Sequence, residues 1–278
     1  MSEGVSPQQV IIHAGFHKTG TTSIQAMIER ERNRLEAFAQ FYIKSQVDPS
    51  PNIARLYGQR QNRHTLTRFE GTFTAFLKTC PRGKPIVISR EQLCGALLTG
   101  RGRWPFRQDR YHRVSLKLAQ AQVRSVMRVF GPDAQITLVY TVRDDAGYIR
   151  SAYGHFIRDT DLDVDFDTFR KGFRRKIDLQ GCADRIAKAL PTVTVKTATL
   201  SDLSAHVRGP GQLILDILDI PQDIQDKIAA PAKRNKPGIS DALAAQLLAL
   251  NKADMRASDR KRAKHDLISA ERKALHGW

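Results

Sequence analysis

A short apolar run, Val10, Ile11 and Ile12, feeds directly into Gly15, Lys18 and Gly20, and two threonines, Thr21 and Thr22, then open a stretch with helical periodicity. The order is strand, tight glycine-bearing turn, helix N-terminus. Such an order builds a phosphate cradle, because the first N–H groups of a helix lack internal partners and carry the positive end of its dipole. The stretch VIIHAGFHKTGTTSIQ misses the Walker A pattern G-x-x-x-x-G-K-[ST]. Gly15 and Gly20 have its spacing, but Thr21 stands in the lysine's place and Lys18 precedes the second glycine. A nucleotide triphosphatase sends its lysine to the β/γ-phosphates and uses the next hydroxyl for Mg²⁺. Here the lysine lies inside the loop, where N–H groups at 19–22 and the hydroxyls of Thr21 and Thr22 close around a single phosphate. Turn and cap residues in a strand-turn-helix that binds nothing have the same composition, so the loop alone leaves that alternative open.

Apolar runs and amphipathic stretches alternate along the chain. Strands are expected at Val10–Ala14, Phe41–Lys44, Pro85–Ser89, Ile136–Val142 and Thr192–Lys196, and helices at Thr21–Ala39, Leu66–Leu77, Glu91–Leu98, Val114–Phe130 and Ala146–Ile157. Residues 48–63 read as a loop, residues 99–112 as a basic aromatic loop, and helices take up most of 201–275. The fold class is α/β: a P-loop-like three-layer fold with a central parallel sheet of about five strands flanked by helices, plus a helical C-terminal extension. The proline- and lysine-rich segment 231–238 suggests a boundary, with 1–230 as the α/β domain and 231–278 as a helical extension packed on it.

Composition narrows the partners. Forty-five Lys+Arg against 28 Asp+Glu give a net charge of +17 over 278 residues, a field that attracts anions. No helix-turn-helix, zinc-finger spacing or aromatic-rich RNA-binding strand accompanies it, so nucleic acid is not the expected partner. The basic segment ASDRKRAKHDLISAERK reads as a solvated helix face. No apolar run approaches the roughly 20 residues of a membrane span, and MSEGVSPQQ lacks the features of a secretory signal. Cys80, Cys94 and Cys182 are widely spaced and odd in number, which fits buried thiols in a reducing compartment. A cytoplasmic protein is the expectation. No metal-ligand spacing is apparent, and the oligomeric state stays open.

A second constellation lies further on. The strand ITLVYTV runs into Arg143, and Ser151 follows eight residues later in RDDAGYIRSAY. An arginine at the carboxyl end of a parallel strand lies on the ligand edge of an open α/β sheet. A guanidinium fork with one hydroxyl suits a phosphate monoester. A salt bridge from Arg143 to Asp144 or Asp145 is the structural alternative.

Together the two constellations resemble the sulfotransferases that use 3′-phosphoadenosine 5′-phosphosulfate (PAPS). The 5′-phosphosulfate loop of that family, K-[ST]-G-T-T after a first strand, is matched by Lys18, Thr19, Gly20, Thr21 and Thr22, and its 3′-phosphate motif by Arg143 and Ser151. The form His17-Lys18-Thr19-Gly20-Thr21-Thr22 is similar to a bacterial group in which Ser89-Arg90-Glu91, His64 with Leu66, and Asn235, Ser240 and Asn251 also find counterparts. Position 90 is Arg where Ser is common, and Asp144-Asp145 after the arginine departs from the pattern.

The resemblance implies transfer of a sulfuryl group from PAPS, which leaves as adenosine 3′,5′-bisphosphate, to a hydroxyl or amine of a carbohydrate, lipid or small-molecule acceptor, with no metal. Lys18 is then the residue that stabilises charge on the bridging oxygen, and His17 is a further donor contact. Glu91 is the first candidate for the general base, with helix N-capping as its structural alternative; His64 is the second. His13 is expected in the packing layer. Arg101, Arg103, Trp104, Phe106, Arg107 and Arg110 suit an acidic or glycan acceptor or, equally, a surface loop anchored by its aromatics. Lys233, Arg234 and Lys236 are candidates to close over the 3′-phosphate. Two other classes stay open: a P-loop kinase or other ATP-dependent phosphotransferase, with Asp144 as a Walker B mimic, and a catalytically silent nucleotide- or polyanion-binding protein.

Overall fold

The computed structural model describes residues 6–97, 111–173, 176–231 and 238–276. In chain order the elements are β1 (Gln9–His13), α1 (Thr21–Arg30), α2 (Arg32–Leu35), β2 (Gln40–Ile43), α3 (Ser50–Arg60), α4 (Arg63–Lys78), β3 (Ile86–Ser89), α5 (Tyr111–Phe130), β4 (Gln135–Val142), α6 (Asp145–Asp159), α7 (Phe166–Lys171), α8 (Leu179–Ala189), β5 (Thr194–Thr199), α9 (Leu200–Ala205), α10 (Gln212–Ile217), α11 (Gln222–Gln225), α12 (Asp241–Lys252) and α13 (Ala257–His276). All five strands pair in parallel, in the order β2-β3-β1-β4-β5. The expected α/β class and five-stranded parallel sheet are therefore present. In register, His13 of β1 stands beside Ser89 of β3 and Val139 of β4. Val10, Ile11, Ile12 and His13 are all fully buried, which is why β1 reads as a continuous apolar run and not an alternating one.

Residues on one face of the sheet, Ile11, Phe41, Val87 and Val139, join Ile24, Met27 and Ile28 of α1 and Leu213 and Ile214 of α10 in a single apolar cluster. The spacing i, i+3, i+4 in α1 supplies that face, and each such aliphatic side chain contributes about 2 kcal/mol on burial. Leu138 and Tyr140, one position out of phase with Val139, face the opposite way. On β4 and β5 lie α8 and, against β4, α5.

Helices α4 and α5 start three residues before the expected Leu66 and Val114, and β5 runs over 194–199 and not 192–196; three further differences have a local cause. The first helix ends at Arg30 and not Ala39: Glu31 leaves helical geometry (φ −100°, ψ 14°), and its buried carboxylate takes hydrogen bonds from Arg30 and Arg34. Residues 50–60, expected as loop, form α3. Prolines 49 and 51 sit at its N-cap and first turn, where a missing N–H costs nothing, and Ile53, Ala54 and Tyr57 bury one side. The helix expected over Glu91–Leu98 is one 3₁₀ turn, Glu91–Cys94, stopped where Gly95 takes a φ of +113°.

Contacts divide the chain into two compact units, Met1–Arg143 with Asp178–Asn235, and Asp144–Ile177 with Lys236–Trp278. The division differs from a boundary at 230/231 in that 144–177 groups with the C-terminal helices. Within the second unit, Asn251 Nδ2 donates to the carbonyls of Ile157 (3.1 Å) and Leu162 (2.7 Å), and Lys264 Nζ donates to that of Thr160 (2.7 Å). These bonds close the C-terminal end of α6. Among the described residues no helix is long and apolar enough to cross a membrane.

Candidate anion-binding loop

The connection from β1 runs to β2 on one side of the sheet, and that from β4 runs to β5 on the other. The carboxyl ends of β1 and β4 therefore lie where the connections diverge, the position at which open α/β sheets take ligands. The 14–20 loop leaves β1 there, and Arg143 leaves β4.

Within the loop the backbone turns left-handed at Gly15 (φ +57°), Lys18 (+66°) and Gly20 (+100°). A side chain at Gly15 is excluded by contact, since a Cβ there would lie 2.8 Å from Thr21 Oγ1 and 3.3 Å from His13 Nε2. Lys18 adopts this geometry despite its Cβ, at a cost on the order of 1 kcal/mol. Gly20 is the N-cap of α1, so no side-chain oxygen competes for the first N–H groups of the helix, and its first turn holds no acidic residue. Thr21 Oγ1 is buried at this helix end with no hydrogen-bond partner, while Thr22 is exposed beside it. Two hydroxyls and uncapped N–H groups thus meet at one helix terminus, with Lys18 two residues before its N-cap, a setting suited to an anion.

Thr19, expected to offer the ligand its backbone N–H, turns its side chain inward. Its Oγ1 donates to the Phe16 carbonyl (2.5 Å) and lies 2.6 Å from Thr141 Oγ1 on β4, which leaves only its N–H for a ligand. Arg143 Nη1 donates to the carbonyl of Lys18 (2.9 Å). His17 is also turned inward: its Nδ1 is 3.1 Å from Tyr111 Oη and 3.6 Å from Cys94 Sγ. The Cys94 thiol bonds to the Glu91 carbonyl (2.9 Å), and burial pushes its pKa up to about 12, so it serves as a packing group and not as a thiolate. Tyr111 and Cys94 carried no motif in the sequence; only the fold brings them to His17.

A polar layer lies beneath the loop. His13, fully buried, has Nδ1 2.8 Å from Ser89 Oγ, and Gln25 Nε2 donates to the Ser89 carbonyl (2.7 Å). Burial lowers the His13 pKa from 6.5 to about 4, so its ring is neutral at neutral pH. Its Nε2 has no hydrogen-bond partner.

Glu91 opens the 3₁₀ turn after β3, half-buried, two residues beyond Ser89 and on the same sheet edge as the loop. His64 is not on a loop: it is exposed in the first turn of α4, which Asn62 caps by accepting from the Thr65 N–H (2.8 Å). In the second unit, Ser151 is half-buried on α6. Asp144 caps that helix through the Gly147 N–H (2.6 Å), and Asp145 accepts from the Ile177 N–H (2.7 Å). Ser240 caps α12 through the Leu243 N–H (3.0 Å), so it and Asn251 hold helix ends. Arg101, Arg103, Trp104, Phe106, Arg107, Arg110, Lys233, Arg234, Asn235 and Lys236 lie outside the described residues.

No family model matches the sequence, and comparison with curated proteins finds no matching relative.

Proposed function

We propose that this protein is a sulfotransferase that takes PAPS as donor, with the loop after β1 holding the 5′-phosphosulfate. The observation that carries this reading is the buried, unpartnered hydroxyl of Thr21 at the uncapped N-terminus of α1. An unsatisfied buried hydroxyl costs about 1–3 kcal/mol, and an anionic oxygen at this helix end satisfies it. The fit extends to the positive charge of Lys18, the N–H groups at 19–22 and the exposed hydroxyl of Thr22.

When bound, PAPS supplies the sulfuryl group that moves to the acceptor. Lys18, together with the N–H groups of the helix end, is assigned to stabilise the charge that such a transfer would place on the leaving phosphate. Arg143, at the end of β4, is assigned to the 3′-phosphate; Ser151 enters on its spacing in the sequence alone. Glu91 is assigned as the base that receives the acceptor's proton, and the exposed place of His64 in α4 makes it second choice. The acceptor is a hydroxyl or amine of a carbohydrate, lipid or small molecule.

Thermal shift with adenosine 3′,5′-bisphosphate and with Mg-ATP tests the donor. Stabilisation by the bisphosphate is expected; stabilisation by Mg-ATP alone would move the chain to the phosphotransferases. Transfer of labelled sulfate from PAPS to a panel of glycans, lipids and phenols tests the reaction. Lys18→Ala is expected to abolish transfer, and Glu91→Gln to slow it by about 10²-fold. Donor binding without transfer to any acceptor would favour a silent binding protein.

A further inference from the structure

Strand β4 holds the loop at three points. The Gly15 N–H donates to the Val139 carbonyl (3.3 Å), Thr19 Oγ1 meets Thr141 Oγ1 (2.6 Å), and Arg143 Nη1 donates to the Lys18 carbonyl (2.9 Å). Residues 139, 141 and 143 follow the two-residue period of the strand. The third point bears on ligand binding. The Lys18 carbonyl belongs to the same planar peptide as the Thr19 N–H, and the two groups point in opposite directions. A guanidinium that draws the carbonyl to one side turns the N–H to the other. The bond is charge-assisted, and it acts on the one non-glycine residue of the loop held at positive φ.

We propose that Arg143 is a positioning residue for the 5′-phosphate loop, in addition to its assignment to the 3′-phosphate. By fixing the Lys18 carbonyl it sets the left-handed turn and aims the Thr19 N–H at the ligand. The inference rests on the donor reading for the identity of that ligand. It predicts that Arg143 matters to nucleotides with no 3′-phosphate at all. The loop's readiness for a 5′-phosphate then depends on the residue assigned to the 3′-phosphate, so the two ends of the nucleotide are read through one side chain.

The test combines two ligands with one ligand-free measurement. Affinities of wild type, Arg143→Ala and Arg143→Lys for adenosine 3′,5′-bisphosphate and adenosine 5′-monophosphate are measured by calorimetry, with melting temperatures to confirm folding. Arg143→Ala is expected to weaken the monophosphate about 10-fold, as loss of a hydrogen bond to a charged group does, and Arg143→Lys is expected to restore part of the loss. Hydrogen exchange in the free protein is expected to quicken several-fold at amides 15–22 in Arg143→Ala and not in the core strands. Monophosphate affinity within twofold of wild type, or unchanged exchange in the loop, overturns the positioning role. A wild-type protein that binds neither nucleotide overturns the donor reading, and the exchange measurement then decides the loop contact independently.

Discussion

Thr21 and His13 leave two buried polar atoms, Oγ1 and Nε2, converging on the Cβ position that Gly15 lacks. Each makes a distinct prediction. Replacing Thr21 with Val keeps the shape and deletes the unsatisfied hydroxyl. The free protein is expected to gain about 1 kcal/mol, read as a rise in melting temperature, while affinity for adenosine 3′,5′-bisphosphate falls about 10-fold. Opposite signs are the mark of a site that sacrifices stability for binding; a loss of both would make Thr21 a structural residue. His13 predicts a pH dependence. Its unfolded state takes up a proton near pH 6.5 and its buried ring only near 4, so between these values the unfolded chain binds more protons. The contribution is fully present above about 6.5 and is lost as the pH falls, by about 3 kcal/mol at pH 4. Urea denaturation from pH 7.5 to 4.5 is expected to show the fall, and His13→Gln to flatten that part of it. An identical profile in the variant would assign the fall to other groups.

At the scale of elements, the start of α4 shows how one cap moves a candidate residue. The apolar spacing from Leu66 onward points to a helix, yet Asn62 Oδ1 takes both the N–H and the hydroxyl of Thr65 (2.8 Å each) and begins it at Arg63. His64 thereby passes from an expected loop to an exposed helical turn. Asn62→Ala is expected to lower stability by about 1 kcal/mol in thermal unfolding; no change would show that the helix start is held by other contacts. Strands β1, β3 and β4 were legible because each carries a short apolar run between turn residues, and a strand buried on both faces needs little more; β5 (TVKTAT) buries little and starts two residues beyond the expected 192. Helix α3 was hidden because Pro49 and Pro51 read as loop residues unless they are placed at a helix start. The 3₁₀ turn after β3 was hidden because its stop lies in the φ of Gly95. In the site, the Gly-Thr-Thr at the head of α1 was legible, since that chemistry is local. The inward turn of Thr19 and the bond from Arg143 to the Lys18 carbonyl were not, since partners 122 and 125 residues away are chosen by sheet order.

At the scale of the whole chain the question is what a net charge of +17 serves. Some of the acidic groups are already engaged by more than one arginine: Glu31 with Arg30 and Arg34, Glu70 with Arg124 and Arg128. The excess of basic residues gives a positive long-range field, and it acts on a small anionic nucleotide and on a nucleic acid by different laws. A polyanion bound through Z phosphates loses affinity with a log–log salt slope of about −0.7Z to −0.9Z, several orders of magnitude over a tenfold rise in salt. A nucleotide held by N–H groups, a buried hydroxyl, one lysine and one arginine has at most two ion contacts for salt to screen, and the field adds only a long-range term. Between 50 and 500 mM NaCl, affinity for adenosine 3′,5′-bisphosphate is therefore expected to fall by about 10-fold or less, while association with single-stranded RNA or duplex DNA disappears. Calorimetry for the nucleotide and fluorescence anisotropy for the polymers make the comparison. Retention of a nucleic acid at 150 mM salt, beside weak and steeply salt-dependent nucleotide binding, would reverse the assignment. The charge would then belong to a polymer surface, and the loop after β1 would be one anion contact among many.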